Sequence, residues 1–256
     1  MAENIRNRQQ WCAVHQECTC KGTSQRMDRF SIFSCQACVC NVFLKRRRYG
    51  SAGLESTIGM KVPNKDIVTI GINLLSIMYS KEDILFAALK VDESRTRRWC
   101  RRVEEPVLQT IRKLPNGASM EMLKSRWYQG HDGSNDHYDL SRYHAVNLHS
   151  VFYHGTVEFR LFNATLHAGE VKANIVLAMA ISAQAINQQK TLAHKTPIGD
   201  NPAFTFRTFL LRLGLIGPEY KNVREHLLKN LPGDRAWRYD KAQYPCNQRH
   251  RDDGAR

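Results

Sequence analysis

Apolar positions recur at helical spacing from Asp66 onward, and this pattern organises the chain. In DIVTIGINLLSIMYSKEDILFAALKV, Ile67, Ile70, Leu74, Ile77 and Met78 fall three or four residues apart, as one face of a helix requires. Ser80-Lys81-Glu82-Asp83 has the form of a fresh N-cap with Asp83 at the capping-box position, so two helices with a short break are predicted. Ile84, Leu85, Ala88 and Leu89 line the second. EEPVLQTIRKL and SMEMLKSRW predict short helices around a Pro115-Asn116-Gly117 turn, the latter capped by Ser119. YQGHDGSNDHYDLSR is polar and glycine-rich, hence a loop.

Two stretches then alternate with period two. HAVNLHSVF and GTVEFRL read as strands, and Gly155 between them predicts a hairpin turning near Tyr153-His154-Gly155. That pairing sets Arg142 and Asn147 on the strand beside Glu158 and Arg160. A long helix follows in AGEVKANIVLAMAISAQAINQQK, with Val171, Ile175, Ala178, Met179 and Ile186 facing the core. FTFRTFLLRLGLIG predicts a helix closed by Gly214 or Gly217, and EYKNVREHLLKNL a last amphipathic one. Residues 1–65 show no clear period, and no internal repeat is visible. The expected organisation is a basic, cysteine-rich segment over 1–65, a core over 66–231 and a loose polar tail over 232–256.

Composition changes this picture in two places. The chain of 256 residues carries a formal charge of +14, which invites a nucleic-acid reading. Residues 1–65 hold eleven Lys/Arg against four Asp/Glu, so a quarter of the length carries half the surplus. The rest is scattered, and such a surface serves ATP equally well. Six of the eight cysteines, Cys12, Cys18, Cys20, Cys35, Cys38 and Cys40, lie in the first forty residues. Cys35-x-x-Cys38 with His15 nearby suggests a zinc module, although no second matched Cys-x-x-Cys pair accompanies it. No apolar run approaches the ~18 residues that cross a bilayer, and no secretory h-region opens the chain, so a cytoplasmic protein is expected.

The chemistry of interest lies in GTVEFRL. Val157, Phe159 and Leu161 share one face; Thr156, Glu158 and Arg160 share the other. An acid and a guanidinium two residues apart are either a wet face or a built site.

In context, RYHAVNLHSVFYHGTVEFRLFNATLHAGEVKANIVLAMAISAQAI resembles the C-terminal half of the "putative amidoligase" family, carboxylate–amine ligases of the glutamine-synthetase fold. SIMYSKEDILFAALKV, RRWC, RWYQG and TFRTFLLRLGLIG extend the resemblance over about residues 72–231. It implies an α+β, glutamine-synthetase-like antiparallel sheet packed with helices, incomplete at its N-terminus. It implies ATP and Mg²⁺, an acyl-phosphate intermediate, and carboxylate- and amine-bearing substrates such as a peptide, a protein or a cell-wall component. Glu158 becomes a catalytic residue and metal ligand, Arg160 a catalytic phosphate or carboxylate clamp, and Arg142, Asn147 and Arg98 substrate or phosphate contacts; Asn163 reads as a turn residue. Neither a membrane nor a nucleic acid is the expected partner. The family's front half has a Gly-x-Glu-x-Glu strand and a His-x-His segment, and neither occurs here: residues 1–65 contain only Glu3, Glu17 and Glu55 as glutamates. The expectation is that this segment is not a native domain of the fold, as a frameshifted or misassigned start would produce. Three readings stay open: an active ligase, a catalytically degenerate relative, and a zinc- or nucleic-acid-binding protein with a cysteine-rich head.

Overall fold

The computed structural model describes residues 67–189 and 194–239 in full, preceded by the backbone of three strands. These are β1 (Phe30–Cys35), β2 (Cys40–Arg48) and β3 (Leu54–Lys61). With β4 (Val146–Asn147) and β5 (Thr156–Phe159) they form one antiparallel sheet in the order β1-β2-β3-β5-β4. The helices are α1 (Ile67–Leu89), α2 (Glu93–Arg98), α3 (Glu105–Arg112), α4 (Met120–Trp127), α5 (His149–His154), α6 (Ala168–Asn187), α7 (Pro202–Arg212) and α8 (Lys221–Leu228). The architecture is α+β and rich in helix, as expected.

Regular structure therefore starts before Asp66, with three strands inside the segment that showed no period. β5 is internal, flanked by β3 and β4, so it is not an edge of the sheet. Cys35 and Cys40 are register partners at the ends of β1 and β2; the proposed zinc ligands Cys12, His15, Cys18, Cys20 and Cys38 lie outside the described residues.

α1 is one unbroken helix of 23 residues, not two. The polar run that imitates a cap serves other segments instead. Ser80 lies within 3.2 Å of the Thr196 hydroxyl, and its carbonyl accepts from Thr196 N at 2.9 Å. The Glu82 carboxylate accepts from Val103 N at 3.0 and 3.1 Å. Two turns before Ser80, Asn73 donates to the Ala185 and Gln188 carbonyls at the end of α6. Ile67, Ile70, Leu74, Ile77 and Met78 are buried as their spacing demands.

α6 lies against α1 and α8, but its buried face is Ala173, Leu177, Ala178, Ala180, Ile181 and Ala185. Val171, Ile175 and Met179 are only partly buried, and Ile186 is exposed. Small residues let the helix approach its neighbours closely, so the larger apolar side chains fall to the flanks. α7 ends at Leu213 with Gly214 at φ +89°, the left-handed position that favours glycine. Residues 232–239 are tied to the start of α7 by Ala203 N to Pro232 O at 3.2 Å and Asn201 Nδ2 to Trp237 O at 2.6 Å. No helix among the described residues is long and apolar enough to cross a membrane.

Candidate functional site

The expected hairpin is present in its pairing and absent in its turn. Val146 and Asn147 lie opposite Phe159 and Glu158 across β4 and β5. After those two residues the chain leaves the sheet and winds into α5, which Gly155 ends in the left-handed region at φ +67°. HSVFYH is thus a helix ended by glycine. Its Ser150 hydroxyl lies 2.9 Å from that of Thr156, which fastens the helix to the first residue of β5.

Glu158 sits mid-sheet, with Gly59 of β3 on one side in register and Asn147 on the other. The lone glutamate of β3, Glu55, is paired in register with Arg47 of β2, away from Glu158. Asn147 is 1% exposed and donates from Nδ2 to Glu158 Oε2 at 2.9 Å, while its Oδ1 accepts from Ser150 N at 3.4 Å. Both ends of the amide are used, so its orientation is fixed. The second carboxylate oxygen, Oε1, has no hydrogen-bond partner among the described residues.

Arg160 lies just past the strand and is almost wholly buried, its side chain 3% exposed against 20% for Glu158. Its Nη1 is 3.7 Å from Glu158 Oε2, its Nε donates to Trp99 O at 3.3 Å, and its guanidinium lies over the Tyr143 ring at 5.4 Å. A buried cation needs an acid and satisfied N–H groups to offset its lost hydration. The separation from Glu158 is longer than a hydrogen bond, so the pair is electrostatic and leaves the carboxylate free to take another cation.

Arg142 is not on a strand. It lies in a 3₁₀ turn, Leu140–Arg142, is buried, and donates from Nη1 to His137 O. Its guanidinium lies 5.7 Å from the same Tyr143 ring, so Tyr143 carries two guanidinium groups. Its Nε is buried without a hydrogen-bond partner among the described residues. Arg98 is exposed and stacks on Trp99 at 4.8 Å; no described contact joins it to Glu158 or Arg160. The neighbouring Arg95 takes that place. It donates from Nη2 to Arg160 O at 2.8 Å and from Nη1 to Asn163 Oδ1 at 2.7 Å. Asn163 also donates to the Leu89 and Lys90 carbonyls, so it clamps the end of α1 rather than merely turning the chain.

The strand leading into β4 runs beside a second chain segment. Arg101 N donates to Tyr143 O, and Ala145 N donates to Arg101 O, both at 2.8 Å. Arg101 and His144 also line a cavity of ≈ 280 Å³ with Trp127, Tyr128, His131 and Ser141. Burial holds the His144 imidazole below its ordinary pKa, whereas the Asp139 carboxylate at 2.8 Å raises that of His131. The sequence reading did not find Tyr143, Trp99 or Arg95. Arg95 and Arg98 lie on neighbouring positions of one helix surface, and nothing local distinguishes them.

No curated protein and no solved structure matches the chain significantly. One family profile does, over residues 52–182, a little over half of the 256 residues. The matched stretch contains Glu158, Arg160, Asn147, Arg142 and Arg95, and it begins at residue 52, before the Ile72 from which the resemblance was legible. The chain belongs to the family described as "putative amidoligase enzyme".

Proposed function

We propose that the chain is an ATP-dependent carboxylate–amine ligase of glutamine-synthetase-like fold, with its site on the Glu158 face of β5. One observation carries the reading: a carboxylate whose Oε1 has no hydrogen-bond partner among the described residues stands 3.7 Å from a buried arginine, on a strand inside the family match. Such a ligase phosphorylates a carboxylate with ATP, and an amine then displaces the phosphate. The first step moves negative charge onto the transferred phosphoryl group, which fixed cations stabilise.

Glu158 is the residue that holds Mg²⁺ in this reading. Mg²⁺ prefers oxygen donors and binds through one or two carboxylates, so Glu158 would hold an ion that supplies positive charge against the phosphates of the nucleotide. Arg160 holds the phosphoryl or carboxylate group, with its fork fixed in advance by Trp99 O and Tyr143. Asn147 keeps Glu158 aimed, and Arg142, held on His137 O, braces the Tyr143 ring on which Arg160 lies.

Isothermal titration with a non-hydrolysable ATP analogue and Mg²⁺ tests the reading. Metal-dependent binding by the wild type that Glu158→Gln loses supports it. A folded wild type that binds no nucleotide overturns it and favours a degenerate relative, a reading supported by the glycine, not a second acid, opposite Glu158.

A further inference from the structure

A second group of potential ligands lies where α8 meets the start of α6. His167 is the N-cap of α6, and its Nδ1 accepts from Glu170 N at 3.3 Å. Glu170 follows three residues later on the same face. His226, near the end of α8, lies against both: its ring is 4.9 Å from that of His167, inclined at 57°. One ligand atom from each of His167, Glu170 and His226 falls within 4.8 Å of the other two.

Gly169 makes this approach feasible. A Cβ at that position would collide with the His226 ring, so a glycine in the first turn of α6 leaves the imidazole its room. Elsewhere in a helix a glycine costs roughly 1 kcal/mol relative to alanine. Here it opens the surface on which three donor side chains converge. Lys229, on the turn after His226, already places an ammonium on Glu170 Oε1. The spot therefore attracts a cation, despite the partial positive charge of a helix start.

We propose that His167, Glu170 and His226 bind a divalent first-row transition ion, with Zn²⁺ the best match to their chemistry, and that the ion fastens α8 to the start of α6. Two imidazoles and one carboxylate form a donor set that Zn²⁺ uses with a fourth position left to water. Mg²⁺ prefers oxygen ligands and does not suit it, so this site is separate from that at Glu158. With ligand bonds of ~2.0–2.1 Å the donors must draw together by roughly an ångström, a movement open to the exposed His167 and the half-buried Glu170 and His226. Lys229 competes with the ion for Glu170, and His167 keeps its cap bond when it ligates through Nε2. The chain from Arg160 leads directly into His167, so the ion would also steady the exit of the candidate site.

The test uses the full-length protein freed of metal by chelator and titrated with Co²⁺, whose visible d–d bands report ligand type. Bands saturating at one equivalent, without the near-ultraviolet thiolate charge-transfer band that the N-terminal cysteines would give, are expected. His167→Ala and His226→Ala should each weaken binding at least tenfold. Zn²⁺ in hundredfold excess over its Kd should raise the melting temperature by about 5 °C, and Mg²⁺ should not. Lys229→Met should tighten binding several-fold, a gain that no folding defect imitates. Absence of d–d bands in folded wild type, or bands unchanged by both histidine variants, overturns the site. No tightening in Lys229→Met overturns Glu170 as a ligand.

Discussion

Asn147 Nδ2 donates to Glu158 Oε2 at 2.9 Å across the β4–β5 register pair, and the same amide accepts from Ser150 N at the start of α5. One buried side chain thus links the strand carrying the acid to the helix that replaces the rest of the expected hairpin. Replacing it with alanine leaves a carboxylate without its donor and a backbone N–H without its acceptor. Asn147→Ala should lose about 1.5–3 kcal/mol of stability, measured by urea unfolding, together with nucleotide binding.

The Glu158–Arg160 relationship makes a different prediction. Because Glu158 is a fifth exposed and the pair is longer than a hydrogen bond, Glu158→Gln should cost only about 1 kcal/mol while abolishing Mg²⁺-dependent nucleotide binding. Arg160→Ala removes a buried cation that also contacts Trp99 O and Tyr143, and it should cost about 3 kcal/mol or more. Paired denaturation and titration curves separate the two effects. Equal stability losses in both variants would contradict the geometry.

Glu82 gives the protein a pH dependence. Burial pushes its carboxyl up from 4.5 to about 7, although Val103 N–H and the charges of Arg102 and Lys195 oppose the shift. The folded state therefore holds this proton more tightly than the unfolded state. The stabilisation is full below about pH 4.5 and is lost as pH rises to about 7. Glu82→Gln should remove this component, so the stability difference between variant and wild type should grow in the variant's favour by up to about 3 kcal/mol between those limits. Melting temperatures measured across the window decide it.

At Gly155 the backbone is left-handed at φ +67°, and an added Cβ meets nothing within 4 Å. Gly155→Ala should then cost about 1 kcal/mol through conformation alone, with no packing penalty. A much larger loss in thermal unfolding would mean that this turn is supported differently.

These features mark how far the sequence could be read. The α1 stripe from Ile67 to Met78 was legible because one long apolar face leaves few alternatives. The break at Ser80 was misplaced because Ser-x-x-Asp is locally a cap motif, and only Thr196 and Val103, distant in sequence, assign those side chains otherwise. HAVNLHSVF alternates well enough to be a strand, yet only Val146 and Asn147 pair as one, and from His149 the chain winds into a helix that Gly155 stops. On α6 the larger apolar residues suggested the wrong face, since closeness to α1 and α8 selected alanines. Glu158, Asn147 and Arg160 were found together because strand register is short-range information. Tyr143, Trp99 and Arg95 join them through tertiary contacts that no local pattern encodes.

The polar anchors along α1 also bear on how the chain is made. Asn73 waits for the carbonyls of Ala185 and Gln188, and Ser80 for Thr196, separations of 112 to 116 residues. During synthesis the most apolar helix among the described residues is thus complete long before the partners of its buried polar groups leave the ribosome. In that interval its surface is open to the wrong neighbours, which makes α1 the segment for a chaperone to shield until α6 has emerged.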